Sequence, residues 1–277
     1  VYWSDTLLGN EFTGGVSGSL DLTLVWPTGF DEVVSLAAHN NFLVIFGKKS
    51  IVIYSGASSP ANMTLHDTVE GVGCIARDSI QNTGTDIFFL SATGLRRLGR
   101  TVQEKSAKMN DISMNIRDSF VSTVGRESDF TLIKSCYFPE KAFYLIFLPE
   151  AKEVYVFDTR RPLEDGSHRV TTWNDLDHTD FVYDKTTKEM YLTQVNGIAE
   201  YGTFTDNGSP YTMSYFTNHF DFGLPNINKM LKKVAVTVIG STAQAFNVKA
   251  GFDYLTAYYS FPFTIKEVPV SEYGIAD

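Results

Sequence analysis

Four times along this chain a short run of apolar, β-branched and aromatic residues turns back on itself through a few polar or glycine residues. That repeated hairpin limits the fold more than any other feature. The first reads FLVIF, GKKS, IVIY (42–54), the second DIFFL, SATG, LRRL (86–98), the third FYLIFL, PEAKE, VYVF (143–157) and a weaker fourth MYLT, QVNG, IAEYG (190–202). Their starts lie about 44, 57 and 47 residues apart, the range in which a four-stranded propeller blade repeats. Further strands fit around them. FTLIKSCYF (130–138) turns through Pro139, Glu140 and Lys141 into the third pair, DFVY (180–183) turns through DKTTK into the fourth, and VTTW (170–173) reads as a looser closing strand. A two-sheet sandwich also gives many short strands, but with turn signals every ~8–12 residues and no longer period. The expectation is an all-β chain: a β-propeller, complete or incomplete, over 1–206, then a β-rich segment over 207–277 that is a closing blade or the start of a second β domain.

Three local readings go with this. In NDISMNIRDSFV (110–121), Ile112, Ile116 and Phe120 recur at helical spacing behind an N-cap at Asn110 or Asp111, which predicts one short amphipathic helix. In FLVIFGKKSIVIY, Gly47 is the residue best able to take positive φ and reverse the chain, Lys48 and Lys49 occupy an exposed turn, and the unbroken apolar runs predict that neighbouring blades cover both faces, with Ile45 and Val52 inside. After a turn at TDNGSP (205–210), KKVAVTVIG (232–240) alternates cleanly, with Val234, Val236 and Val238 on one face and Ala235, Thr237 and Ile239 on the other. The tail, FNVKAGFDYLTAYYSFPFTIKEV, is again strand-like and aromatic.

With 43% hydrophobic and 20% charged residues and only 9 Pro, the chain has material for a sizeable core. A net charge of −9 argues against a broad surface that neutralises nucleic-acid phosphates, though not against a channel through which DNA slides. The longest apolar stretches, such as FLVIF at 42–46, fall far short of the ~20 residues of a membrane-spanning helix. The first residues lack a signal-peptide pattern, and the start at Val1 without Met is that of a processed chain or a piece of something longer. Two cysteines, Cys74 and Cys136, make neither a disulfide scaffold nor a CxxC pair and read as small core residues in a reducing compartment.

No motif for chemistry is intact. GVGCIA (71–76) matches a GxGxxA fingerprint on paper, without the strand before it or the helix after it that a dinucleotide site needs, so it reads as a turn. Asp175, Asp177, His178 and Asp180 crowd into NDLDHTD, but without the glycine and terminal Glu of an EF-hand they read as a solvated turn. His66 with Asp67 and His219 with Asp221 are similar pairs, and no HExxH is present. GGVSGS (14–19) has the wrong spacing for a nucleophile elbow, and EDGSHRVTTW (164–173) is only the nearest stretch to a sialidase box. The basic residues Arg96, Arg97 and Arg100, and Lys229, Lys232 and Lys233, lie on or beside strands and read as solvated faces or intersubunit ion pairs. No catalytic, cofactor-binding or metal-binding residue is assigned.

Three stretches, VVSLAAHNNFLVIFGKKSIVIYSG (33–56), GVGCIARDSIQNTGTDIFFLSATGLRRLGR (71–100) and KMLKKVAVTVIG (229–240), together resemble the tail nozzle proteins of short-tailed (podovirus) bacteriophages, the tail tubular protein B type. In that family an apolar strand, FG, a short polar turn and an apolar strand ending in an aromatic precede a Gly-Cys or Gly-Ser phrase that leads to NTG-D-x-x-F-L-S-x-x-G-[IVL]-R. The likeness is good over about the first hundred residues and loose beyond. It implies a structural virion protein and not an enzyme: a β-propeller domain in a homohexameric tail tube, assembled in the host cytoplasm. The adaptor protein and tail fibres would be its neighbours, and DNA would cross the lumen during ejection without sequence-specific binding. The acidic balance fits a conduit, since a negative lumen repels DNA. The alternative is a propeller-type glycoside hydrolase or lyase acting on host surface polysaccharide, which rests on fold analogy and on the 14 Tyr and 21 Phe that could stack on sugars.

Overall fold

Antiparallel pairing of neighbouring strands accounts for almost all the regular structure. The computed structural model describes residues 1–27, 29–99, 112–174, 176, 178–194, 197–202, 208–217, 220, 222–223, 227, 229–230, 232–236, 244–252 and 257–265. The chain divides into two units, Val1–Pro210 and Tyr211–Asp277.

The first unit opens with a two-stranded ladder, β1 (Tyr2–Trp3) with β2 (Gly18–Ser19). Four meander sheets then follow in chain order. Sheet one holds β3 (Val33–His39), β4 (Phe42–Gly47), β5 (Ser50–Ser55) and β6 (Thr64–Glu70); sheet two holds β7 (Gln81–Asn82), β8 (Ile87–Ser91) and β9 (Gly94–Arg97). Sheet three holds β10 (Lys134–Phe138), β11 (Phe143–Leu148), β12 (Glu153–Asp158) and β13 (Arg169–Asn174); sheet four holds β14 (His178–Asp184), β15 (Glu189–Gln194) and β16 (Gly197–Tyr201). Within each sheet, strands lie side by side in chain order, so each hairpin read from the sequence is a pair of adjacent strands. VTTW lies in β13 and closes sheet three on β12, pairing Trp173 with Val154. Among the described residues no sheet closes into a barrel.

The unbroken apolar runs have a direct cause: successive residues of a strand enter different cores. On β8, Ile87 and Phe89 pack with Val44, Phe46, Ile51 and Ile53 of sheet one. Their neighbours Phe88 and Leu90 pack with Tyr144, Ile146, Tyr155 and Phe157 of sheet three. On β11 and β12, Leu145, Phe147, Val154 and Val156 face Phe181, Met190 and Leu192 of sheet four. The β4–β5 hairpin is covered on both faces as expected, but its outer cover is the N-terminal segment, with Leu22 and Trp26 against Ile45, Val52 and Tyr54. Sheet four keeps an open face, where Val182 is 51% exposed, and this accounts for the weaker apolar run of its hairpin.

Gly47 serves differently from expected. It does not take positive φ; the chain reverses through Lys48 and Lys49, and a Cβ at Gly47 would run into the Asp31 carboxylate and the Trp26 ring. Asp31, nearly buried, accepts from the backbone N–H of Lys48 (3.0 Å) and Lys49 (2.8 Å) and so holds the turn. Asp31→Ala is expected to leave these donors unpaired and to cost about 1–3 kcal/mol. Lys48→Ala and Lys49→Ala should stay within about 0.5 kcal/mol, because the Lys48 pair with Glu32 is exposed. Urea denaturation of the three variants measures the contrast.

The helix also starts later than its periodicity predicts. α1 spans Arg117–Val124, preceded by a 3-10 turn at Met114–Ile116, and its N-cap Ile116 supplies no side-chain bond. Asn110 and Asp111 lie outside the described residues. Ile112 is not helical: its N–H donates to Leu95 O (3.1 Å) and its carbonyl accepts from His168 N (2.9 Å), so tertiary backbone bonds hold it along the outer edge of β9. Ile112 and Phe120 are nevertheless both buried, as their spacing implied.

The second unit contains one described hairpin, β17 (Gln244–Gly251) with β18 (Tyr258–Ile265), in which Phe246 stacks on Phe263 at 5.4 Å. KKVAVTVIG departs from its alternation. Residues 232–236 form no strand and leave Val234 and Val236 exposed, while 237–240 lie outside the described residues. Alternation supplies a face but not a ladder, and a strand needs a partner to satisfy its backbone.

Candidate functional site

The first strands of the four meander sheets reach one cleft, with Ile87 of β8 beside them. Its walls are Ser35 to Ala38 from β3, Gln81 and Asn82 from β7, Lys134 and Ser135 from β10, and Asp180 from β14, with Arg77 and Asp78 at one side; its volume is about 660 Å³. The short crossing from sheet one to sheet two positions the charged pair. Gly71 takes φ +74°, and a Cβ on Gly73 would strike the Gly47 carbonyl and the Lys48 backbone, so the glycines of GVGCIA serve a close backbone approach. Cys74 N donates to Gly47 O (2.8 Å) and Ile75 N to Leu90 O (2.9 Å), which stitches the crossing to both sheets. A 3-10 turn follows at Arg77–Ser79, not a helix that could receive a pyrophosphate.

Asp78 takes two cations. Arg77 donates through Nε (2.8 Å) and Nη2 (3.1 Å), and Lys134 Nζ reaches the second carboxylate oxygen from β10. The Arg77 guanidinium first, then Lys134, holds the Asp78 carboxyl down at about 2. Around this pair, Ser135 Oγ donates to Asp78 O (2.6 Å), Gln81 Nε2 to Ser135 O (3.0 Å) and the buried Tyr144 hydroxyl to Ser79 O (2.7 Å). These bonds lace sheet two to sheet three where no strand ladder joins them. The arrangement is a polar seam in which one carboxylate is already engaged by two cations.

The other candidates scatter. Of the NDLDHTD residues, Asp175 and Asp177 lie outside the described residues; His178 starts β14, and Asp180 accepts from the N–H of Phe181 (2.8 Å). His66 sits where the β5–β6 register shifts and packs its ring on Phe42, 4.5 Å between centroids, while the Asp67 carboxylate accepts from Thr68 N. His219 and Asp221 lie outside the described residues, as does Arg100. Among the described residues no three His, Cys, Asp or Glu side chains gather as a metal site. Lys229, Lys232 and Lys233 are exposed, with Lys229 Nζ 5.8 Å over the Phe222 ring, but no strand carries them.

Arg96 overturns the expectation of a solvated face. It is 3% exposed, and its Nε (3.2 Å) and Nη2 (2.8 Å) donate to Thr93 Oγ1, because residue 96 pairs with Phe89 on the face that sheet one covers. Nothing local in GLRRLGR separates Arg96 from its neighbour Arg97; only the strand's two-sided burial does.

Both cysteines are buried thiols, and burial pushes each up to about 11. Cys74 Sγ also donates to Ala76 O (3.1 Å). Neither is expected to react with a thiol reagent at about pH 8 in the native protein, and both should react once it is unfolded in urea. Native-state labelling of either residue would show that its core opens.

No family model and no curated protein matches this chain. Among the described residues no helix is long and apolar enough to cross a membrane. Among solved structures the chain is similar to PorZ, described as an essential bacterial surface component of the type-IX secretion system of human oral-microbiomic Porphyromonas gingivalis. The TM-score is 0.32 at 15% identity over 63% of this chain and 20% of that one, so the chain spans about a fifth of that protein's length, and a likeness at this level carries no argument about function.

Proposed function

We propose that this protein is a structural component of a phage tail nozzle, built on an open β-propeller whose blades are the four meander sheets. The observation that carries the propeller is the convergence of β3, β7, β10 and β14 on one cleft, each being the first strand of its sheet, with later strands following outward in chain order. That is how blades are arranged about an axis. The burial of β8, β11 and β12 between two neighbouring sheets supports it, since each blade of a propeller is covered by its neighbours.

The tail assignment rests on the phrases VVSLAAHNNFLVIFGKKSIVIYSG and GVGCIARDSIQNTGTDIFFLSATGLRRLGR and on the net charge of −9, which suits a wall that DNA must pass without sticking. In this reading the protein forms a homohexameric ring against the adaptor and the tail fibres and performs no chemistry. Native mass spectrometry of the purified protein, with its detection in tails of purified particles, tests the assignment. A ring-forming protein present in tails supports it. A stable monomer absent from virions overturns it, and release of sugars from host polysaccharide by such a monomer would establish the enzyme alternative in its place.

A further inference from the structure

The loop after β12 ends at His168, a histidine only 3% exposed on which three pieces of the fold converge. Its N–H donates to Ile112 O (2.9 Å), and Asn115 Nδ2 donates to its carbonyl (3.0 Å), which ties it to the run leading into α1. Its ring Nδ1 lies 2.7 Å from Asp158 O at the end of β12. A carbonyl only accepts, so the ring proton sits on Nδ1 and Nε2 is a bare lone pair. Nε2 is buried and has no hydrogen-bond partner. The ring meets Phe88 of β8 edge-on at 5.9 Å.

The charged groups around it come from each element packed there. β9 contributes Arg97, which shares a cleft of about 440 Å³ with His168, Asp86 and Arg160. The Asp158 carboxylate is taken by Arg160 and felt by Arg169, that of Asp86 accepts from Ile87 N and Gly99 N, and that of Asp165 accepts from Ser167. None of these carboxylates reaches Nε2.

We propose that His168 is a pH-sensitive latch: while its ring stays neutral and buried against Asp158 O, its backbone N–H and carbonyl clasp the β12–β13 loop to the run that leads into α1, and proton uptake at Nε2 opens that clasp. A proton there creates a buried charge with no acceptor and with the Arg97 guanidinium nearby. Opening exposes the ring to water, where it binds a proton with its ordinary affinity. Burial first, then Arg97, holds the closed-state pKa below the usual histidine value, against the pull of the Asp158 carbonyl. The sign follows from linkage: the clasp is fully stable above about pH 6.5, and below it the opening constant rises by up to about tenfold per pH unit until the lowered closed-state pKa is reached. The opening is local, because the bonds lost belong to the clasp alone.

Hydrogen exchange followed by mass spectrometry at about pH 7.5 and about pH 5, with labelling times scaled for intrinsic exchange, tests this. Peptides covering 112–116 and 159–168 should exchange faster at the lower pH, by no more than about thirtyfold, while β15 peptides do not change. His168→Gln, which keeps a polar side chain but cannot titrate, should abolish the difference. Asn115→Ala should loosen the same peptides at both pH values and keep the pH-dependent part, which carries the test if H168Q does not fold. Exchange that does not depend on pH in the wild type, a rise that persists in H168Q, or a rise spread evenly over the chain would overturn the latch.

Discussion

Replacing Ile45 or Val52 with aspartate is expected to remove the native state. The two residues are direct cross-strand partners on the β4–β5 hairpin, both 0% exposed, and both pack under Leu22 and Trp26. The buried side chains packed on that face are aliphatic or aromatic, so a carboxylate there must stay protonated or carry its charge in an apolar site. The cost is about 4 kcal/mol or more, set against a total stability of ~5–15 kcal/mol for a domain. Aggregated protein is the expected outcome and, in the tail reading, particles without tails. Urea unfolding beside Lys48→Ala separates this from a surface effect. Wild-type stability of either aspartate variant would mean that the N-terminal segment does not cover this face and that the hairpin lies on a solvent edge, which would also remove the support for a propeller.

Phe120→Ala has the second largest expected effect. Phe120 is 0% exposed, with its ring 4.9 Å from that of Tyr155 and 5.8 Å from that of Phe157, both edge-on. It carries α1 into the core that sheets two and three share. A helix of 8 residues is far below the ~12–15 at which an isolated helix becomes even marginal, so tertiary contact keeps α1 helical. Truncation to alanine should cost about 3–5 kcal/mol through lost burial and the cavity left behind. Ser122→Ala, on the exposed side of the same helix, should stay within about 0.5 kcal/mol. Denaturation midpoints and helical circular dichroism measure both, and equal stability of the two variants would refute the role given to Phe120.

Where local chemistry decides, the sequence was readable. Apolar runs around PEAKE and DKTTK can only pair across their turns, and β11–β12 and β14–β15 do so. The uninterrupted run FLVIF announced two covered faces, because a solvated face would have left polar residues at alternate positions. The aromatic tail likewise became the β17–β18 hairpin. Errors arose where one segment answers to another far away in the chain. Gly47 owes its lack of a side chain to Asp31 and Trp26, not to its own turn, and Ile112 left the predicted helix for bonds to Leu95 and His168. Arg96 and Arg97 are alike in sequence and opposite in facing, a difference that register alone sets.

The polar seam and the histidine clasp belong to the same class. The cleft draws on residues from Ser35 to Asp180, and Lys134 meets Asp78 across 56 positions of chain. His168 had no signal beyond its place in EDGSHRVTTW. By itself the sequence determined the apolar hairpins of the four sheets and their pairing across short turns, because those depend on contacts a few residues apart; the alternation of KKVAVTVIG gave no strand over 232–236. The tertiary structure alone decided which sheet covers which face, which charges meet in the cleft and which histidine loses its water, because these follow from the stacking of sheets, and stacking brings together side chains whose spacing in the chain carries no pattern.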